Sequence, residues 1–63
     1  EFKEILKTYE TMSAKKAAAI LTEMSESEAL RIMSSMKSNT LTAIFEKMEP
    51  ADAARYTELL AEQ

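Results

Sequence analysis

The sequence predicts an all-α fold of five short helices in a compact right-handed superhelix of twelve-residue repeats. Met12, Met24, Met36 and Met48 stand twelve residues apart. Each twelve-residue unit is counted from the residue after one of these methionines, so that the first unit is residues 13–24. Within each unit the apolar residues fall at positions five, eight, nine and twelve, which is the spacing of one helical face. No segment alternates between polar and apolar residues as a half-buried strand would.

The predicted helices span residues 2–12, 14–23, 26–36, 39–48 and 51–62. Each is about 15 Å long at about 1.5 Å per residue. Helices this short are unstable alone in water, so each must bury its apolar face against its neighbours. A repeat of this kind indicates a stacked architecture, because no single unit can close a core.

The repeat length itself requires a break in the helix near each methionine. Twelve residues make about 3.33 turns, so a continuous helix would rotate its apolar stripe by about 120° per repeat. Such a stripe would spiral away from any single partner, and the same period excludes a heptad coiled coil. The chain contains no glycine, so ordinary residues must make these turns.

Several helix starts are marked by their chemistry. Ser13 and Ser25 directly follow a repeat methionine and can accept hydrogen bonds from the first turn of the next helix. Ser25 with Glu28 has the spacing of a capping box. Pro50 stands where a first helical residue would, since its missing N–H costs nothing there. Lys37 follows Met36, where the first two units have a cap serine. Ser38 is therefore predicted to cap the helix at residues 39–48.

The four repeat methionines are predicted to be core packing at the joints between helices. Met33 lies on the same apolar stripe and is assigned the same role. Each such buried side chain stabilises the fold by about 1.5–3 kcal/mol. The alternative is an adaptable methionine-rich binding surface, which their regular place on the apolar face disfavours. Leu30 is predicted to lie at the edge of the core.

The 63 residues make at most one small domain, predicted to span residues 1–63 and to be a fragment of a longer protein. The net charge is −3 and no basic stripe is present, which argues against nucleic acid as a partner. No apolar run approaches the roughly 20 residues that span a bilayer, so direct membrane insertion of this chain is not expected.

No enzymatic chemistry is expected, because the chain lacks histidine, cysteine and glycine and with them the usual catalytic motifs. Two acidic clusters lie at predicted joints: Glu23, Glu26 and Glu28, and Glu46, Glu49 and Asp52. Glutamates near helix ends are ordinarily helix-dipole partners. We therefore predict no catalytic residue, no cofactor and no metal ligand, with Mg²⁺ binding by these carboxylates as the alternative.

One segment favours interaction with a protein partner. Phe2, Ile5, Leu6 and Tyr9 place four large side chains on the first helix, whereas the end unit of a stack is normally polar. These residues form a candidate interaction surface for an upstream helix or for another copy of the chain. That they close the core of the five helices is an equally good interpretation.

Residues 12–21 resemble the unit M-x-P-x-x-A-A-x-I-L of the intracellular N-terminal superhelical domain of MgtE magnesium transporters, and residues 48–54 repeat this unit with the proline in place. Residues 9–12, 29–36 and 53–60 resemble the C-terminal domain of MotE and YlxF flagellar proteins, members of the same helical-repeat family. The second resemblance is the closer of the two. Units two and three depart from the pattern, since they lack the proline, and the first unit has Ala14 at that position.

The closer resemblance implies a non-catalytic protein–protein interaction domain of a flagellar motor-associated protein, an assembly factor or chaperone. It also implies a homodimer in the full-length protein, with a flagellar motor component as partner. The chain would then be held at the cell envelope by an anchor outside these residues, on the extracytoplasmic side. The alternative is the Mg²⁺-sensing cytosolic N-domain of an MgtE-type transporter.

Overall fold

The computed structural model describes residues 1–63 and contains five α-helices and no β-strand. The helices are α1 (Phe2–Thr11), α2 (Ala14–Glu23), α3 (Glu26–Ser34), α4 (Ser38–Glu46) and α5 (Pro50–Ala61). The predicted all-α class and the five helices are confirmed, and each predicted helix end lies within two residues of the observed one. The right-handed superhelix stays a prediction.

Ordinary residues make all four turns between the helices, as the absence of glycine requires. The residue that precedes each of α2 to α5 is extended, with φ between −66° and −60° and ψ between 141° and 149°. No residue in the chain has a positive φ. Each of α2 to α5 therefore begins directly after an extended residue, and the turns need no left-handed backbone.

The predicted caps of α2 and α3 are present. The Ser13 hydroxyl oxygen accepts the backbone N–H of Lys16 at 3.3 Å, and that of Ser25 accepts the N–H of Glu28 at 3.4 Å. Of the two hydrogen bonds of the predicted capping box, only the one accepted by the Ser25 hydroxyl is formed. The Glu28 side chain does not accept the backbone N–H of Ser25. Pro50 is the first residue of α5, as predicted, where the helix needs no N–H donor.

The prediction that Ser38 caps α4 is wrong. Lys37 is the N-cap residue and makes no side-chain capping hydrogen bond. The helix begins one residue earlier than predicted, so Ser38 already has helical geometry at its first position. A serine caps a helix only from the extended residue before it. The first amides of α4 therefore lack the side-chain acceptor that α2 and α3 have.

The core is built by α2 to α5, whereas α1 contributes no fully buried residue. The eight buried residues of the core are Ala17, Ala18, Leu21, Ala29, Ile32, Met33, Ile44 and Tyr56. The four repeat methionines and Leu30 are half-buried and pack against this cluster. Met33 is fully buried, with 1% of its surface exposed. The four repeat methionines thus pack at the joints, as the repeat predicts, and Met33 packs inside the core.

Helices two places apart in the chain lie against each other. The helix pairs in most extensive contact are α2 with α4 and α3 with α5, followed by α2 with α3. Residues two repeats apart in sequence therefore become neighbours in space, which determines the surfaces described below. None of the five helices has the length and apolar character that crossing a bilayer demands.

Candidate functional site

The structure divides the candidate interaction surface on α1 into two parts. Phe2, Leu6 and Tyr9 are half-buried and pack against the core. Ile5 points away from it with 47% of its surface exposed, and it is the only large apolar side chain in the exposed class. Three of the four residues therefore help to close the core, and Ile5 alone is presented to solvent.

A contact between Phe2 and Arg31 links α1 to α3. The Arg31 guanidinium carbon lies 4.0 Å from the centroid of the Phe2 ring. A cation over an aromatic face at an exposed site stabilises by about 0.5–1 kcal/mol. This contact therefore adds to the packing of Phe2 against the core, although α1 has no fully buried residue.

An open groove lies between α2 and the joint that precedes α5. Its volume is about 310 Å³, and its apolar lining is Ala18, Ala19 and Met48. Its charged lining is Lys15, Glu23, Lys47, Glu49 and Asp52. The groove is therefore lined by charges of both signs as well as by apolar side chains. We call this feature the α2–α5 groove.

Sequence reasoning did not find this groove, because it assigned its carboxylates to different clusters. Glu23 ends α2 and Glu49 precedes α5. The available signal was the repeat itself, since Glu23 and Lys47 hold equivalent positions two units apart. Once helices two places apart are known to pack together, such pairs are expected to meet at one surface.

Arg55 joins the two acidic clusters of the sequence. Its Nε lies 3.4 Å from Oε2 of Glu26 on α3, and its Nη2 lies 3.8 Å from Oδ1 of Asp52 on its own helix. Interaction with the Tyr56 side chain, and the charges of Asp52 and Glu26, raise the pKa of the Arg55 guanidinium above its ordinary value. Arg55 is therefore a permanent cation between the clusters.

The carboxylates of this chain lie apart from one another, and several have a cation nearby. Nowhere in the structure do three or more side chains of the ligating types come together around one point. Lys15 and Lys47 line the same groove as Glu23 and Glu49, and Asp52 is paired with Arg55. Two lysines and an arginine already offset much of the negative charge that would attract a metal ion.

Comparison with known families gives one finding. The family model described as the MgtE intracellular N domain matches residues 1–63, the whole of the chain. No curated protein and no solved structure matches this chain. The match covers all five helices described above.

Proposed function

The chain belongs to the MgtE intracellular N domain family, and from this we propose that it is the regulatory N-domain of an MgtE-type magnesium transporter, on the intracellular side of the membrane. The match over residues 1–63 is the observation that supports this most. It favours the transporter over the flagellar interpretation, and an intracellular over an extracytoplasmic location. A domain with this role is non-catalytic, in keeping with the lack of catalytic motifs in the sequence.

The domain is proposed to regulate by contact rather than by binding a ligand alone. Mg²⁺ is held in proteins by a few carboxylates together with several waters. The α2–α5 groove offers Glu23, Glu49 and Asp52, but nearby cations leave them short of a complete site. We therefore propose that sensing requires a second region of the transporter against this groove, and that this chain supplies only part of the acidic surface.

A titration with MgCl₂ tests this proposal in two proteins, the 63-residue chain alone and the parent protein that contains it. The chain alone is expected to show no change in melting temperature at millimolar Mg²⁺. The parent is expected to be stabilised, by about 1.4 kcal/mol when Mg²⁺ reaches ten times its dissociation constant. A parent protein that shows no stabilisation at millimolar Mg²⁺ would refute the transporter proposal.

A pair of variants of the parent protein locates the effect. The groove variant Glu23→Gln, Glu49→Gln, Asp52→Asn removes three negative charges from the α2–α5 groove. The control variant Glu4→Gln, Glu58→Gln, Glu62→Gln removes three from exposed positions elsewhere. The groove variant is expected to weaken stabilisation by Mg²⁺, and the control to leave it unchanged. Equal effects would show that general surface charge, and not the groove, is responsible.

The flagellar interpretation is the second candidate, and the sequence of residues 9–12, 29–36 and 53–60 is what favours it. It proposes that the domain assembles with a motor component as a dimer. A transmembrane segment followed by heptads before residue 1 would favour it, whereas regulatory domains after residue 63 would favour the transporter. A strictly monomeric protein that crosslinks to no motor component would count heavily against it.

A further inference from the structure

The four repeat methionines lie at four successive joints, and each directly precedes the N-cap residue of the next helix. Met12 and Met24 are the C-cap residues of α1 and α2, and Met36 and Met48 directly follow the C-cap residues of α3 and α4. Each donates its backbone N–H to the helix it follows, to the carbonyl oxygens of Thr8, Leu21, Met33 and Phe45 at 3.1, 3.4, 3.2 and 3.1 Å. Each side chain then packs against the core.

Exposure separates these four joint methionines from the fifth methionine of the chain. The joint methionines are half-buried and keep part of their surface in solvent. Met33 lies in the middle of the core with 1% of its surface exposed. Oxidation of a thioether requires access of the oxidant to sulfur. The chain therefore has four partly exposed methionines at its joints and one fully buried methionine as an internal reference.

We propose that the joint methionines are oxidation sites for peroxides, and that their oxidation loosens the joints between the helices. In this step a sulfur lone pair attacks one oxygen of hydrogen peroxide, the S–O bond forms and the O–O bond breaks. The thioether is oxidised to a sulfoxide, and the peroxide is reduced to water after proton transfer. Methionine sulfoxide reductases catalyse the return to the thioether.

The position of the joint methionines makes this modification consequential. A sulfoxide replaces a flexible apolar group by a polar, chiral one, and it disrupts packing where the thioether met the core. Each short helix depends on its neighbours for stability. In a repeat architecture the loss of one interface weakens the next unit along, so oxidation of several joints is expected to reduce the helical fold progressively.

The first measurement is site-resolved oxidation by hydrogen peroxide, in native buffer and in guanidinium chloride, followed by mass spectrometry of proteolytic peptides. In native buffer Met33 is expected to react at least about tenfold more slowly than in guanidinium, because it reacts only when the core opens. The joint methionines, which are partly exposed in the fold, are expected to be slowed by native structure much less than Met33. Native oxidation of Met33 as fast as that of Met24 would overturn the proposal.

The second measurement compares melting temperatures before and after peroxide. Oxidised wild-type chain is expected to melt about 5 °C lower or more. The variant M12L/M24L/M36L/M48L, in which leucine replaces a side chain of similar volume, is expected to keep its melting temperature. The melting temperature of the variant M33L, which retains all four joint methionines, is expected to fall after peroxide as much as that of the wild type.

Circular dichroism before peroxide establishes that each variant is helical. If the fourfold variant does not fold, the single variants M12L, M24L, M36L and M48L replace it, and each is expected to remove part of the fall in melting temperature. A wild-type chain that is oxidised at its joints yet melts unchanged would overturn the proposal. So would leucine variants that lose as much stability on peroxide treatment as the wild type.

Discussion

The hydroxyl group of Tyr56 donates a hydrogen bond to the backbone carbonyl oxygen of Leu21 at 3.3 Å. Tyr56 is 1% exposed and Leu21 is fully buried, so this bond lies inside the core. It joins the last helix of the chain directly to the second. The same carbonyl oxygen also accepts the N–H of Met24 at 3.4 Å. The bond therefore links α5 to the C-terminal end of α2, next to the joint between α2 and α3.

Replacement of Tyr56 by phenylalanine removes this bond and keeps the ring. The free energy of unfolding is expected to fall by about 0.5–1.5 kcal/mol, since Leu21 O keeps its bond from Met24. Thermal and urea denaturation measure the change. Tyr9→Phe is the matched control, because the Tyr9 hydroxyl makes no hydrogen bond to protein, and it should leave stability unaltered. Equal losses in the two variants would mean that the Tyr56–Leu21 bond contributes nothing of its own.

The positions of the helices could be predicted from the sequence because their causes are local. Ser13 and Ser25 supply an acceptor to the amide three residues later, and Pro50 has a fixed φ suited to a first turn. The period of the methionines fixes where each helix must break. These signals act within one repeat, so a single sequence shows them.

The features that could not be predicted depend on how helices pack across the chain. The α2–α5 groove exists because α4 lies beside α2. Ile5 is exposed and Leu6 packs against the core because of which side of α1 meets the other helices. Ser38 does not cap α4 because the helix begins one residue earlier than predicted, which gives Ser38 helical geometry instead of the extended geometry of an N-cap residue. Such one-residue differences are within the ordinary uncertainty of helix boundaries.

The corrected cap of α4 gives a prediction with an internal control. Ser25→Ala is expected to lower the free energy of unfolding by about 1 kcal/mol, because it removes the acceptor for the Glu28 amide. Ser38→Ala is expected to have little effect, since Ser38 makes no capping bond. Lys37→Asp should stabilise the chain by adding the missing acceptor at the N-cap of α4. Urea denaturation of the three variants ranks them, and destabilisation by Ser38→Ala equal to that by Ser25→Ala would contradict this assignment.

Two isoleucines in very different environments test the assignment of the core. Ile44 is 1% exposed and Ile5 is 47% exposed. Ile44→Val is expected to cost about 0.5–1.5 kcal/mol of stability, because it deletes a methyl group from a packed interior. Ile5→Val is expected to change stability by less than about 0.5 kcal/mol. Similar losses would place Ile5 in a buried contact within the folded chain.

The exposed face of α1 gives the last prediction, because Ile5 is the one residue of the predicted interaction surface that the fold leaves free. Ile5→Lys is expected to preserve the melting temperature, since the lysine head group remains in water. If copies of the chain associate through α1, this variant should abolish the concentration dependence of the sedimentation coefficient. Leu6→Lys should instead lower the melting temperature, because Leu6 packs against the core and a charge placed there loses its hydration.

The two lysine variants together separate association from folding. Lys7→Ala is the control for a change of charge on the solvent side of α1, and it should leave both stability and association unaltered. Association that persists in Ile5→Lys would exclude the exposed face of α1 as the contact between copies. A wild-type chain that stays monomeric at millimolar concentration would exclude self-association through any surface of this domain alone. In that case Ile5 would remain available only to a different protein or to another region of the same polypeptide.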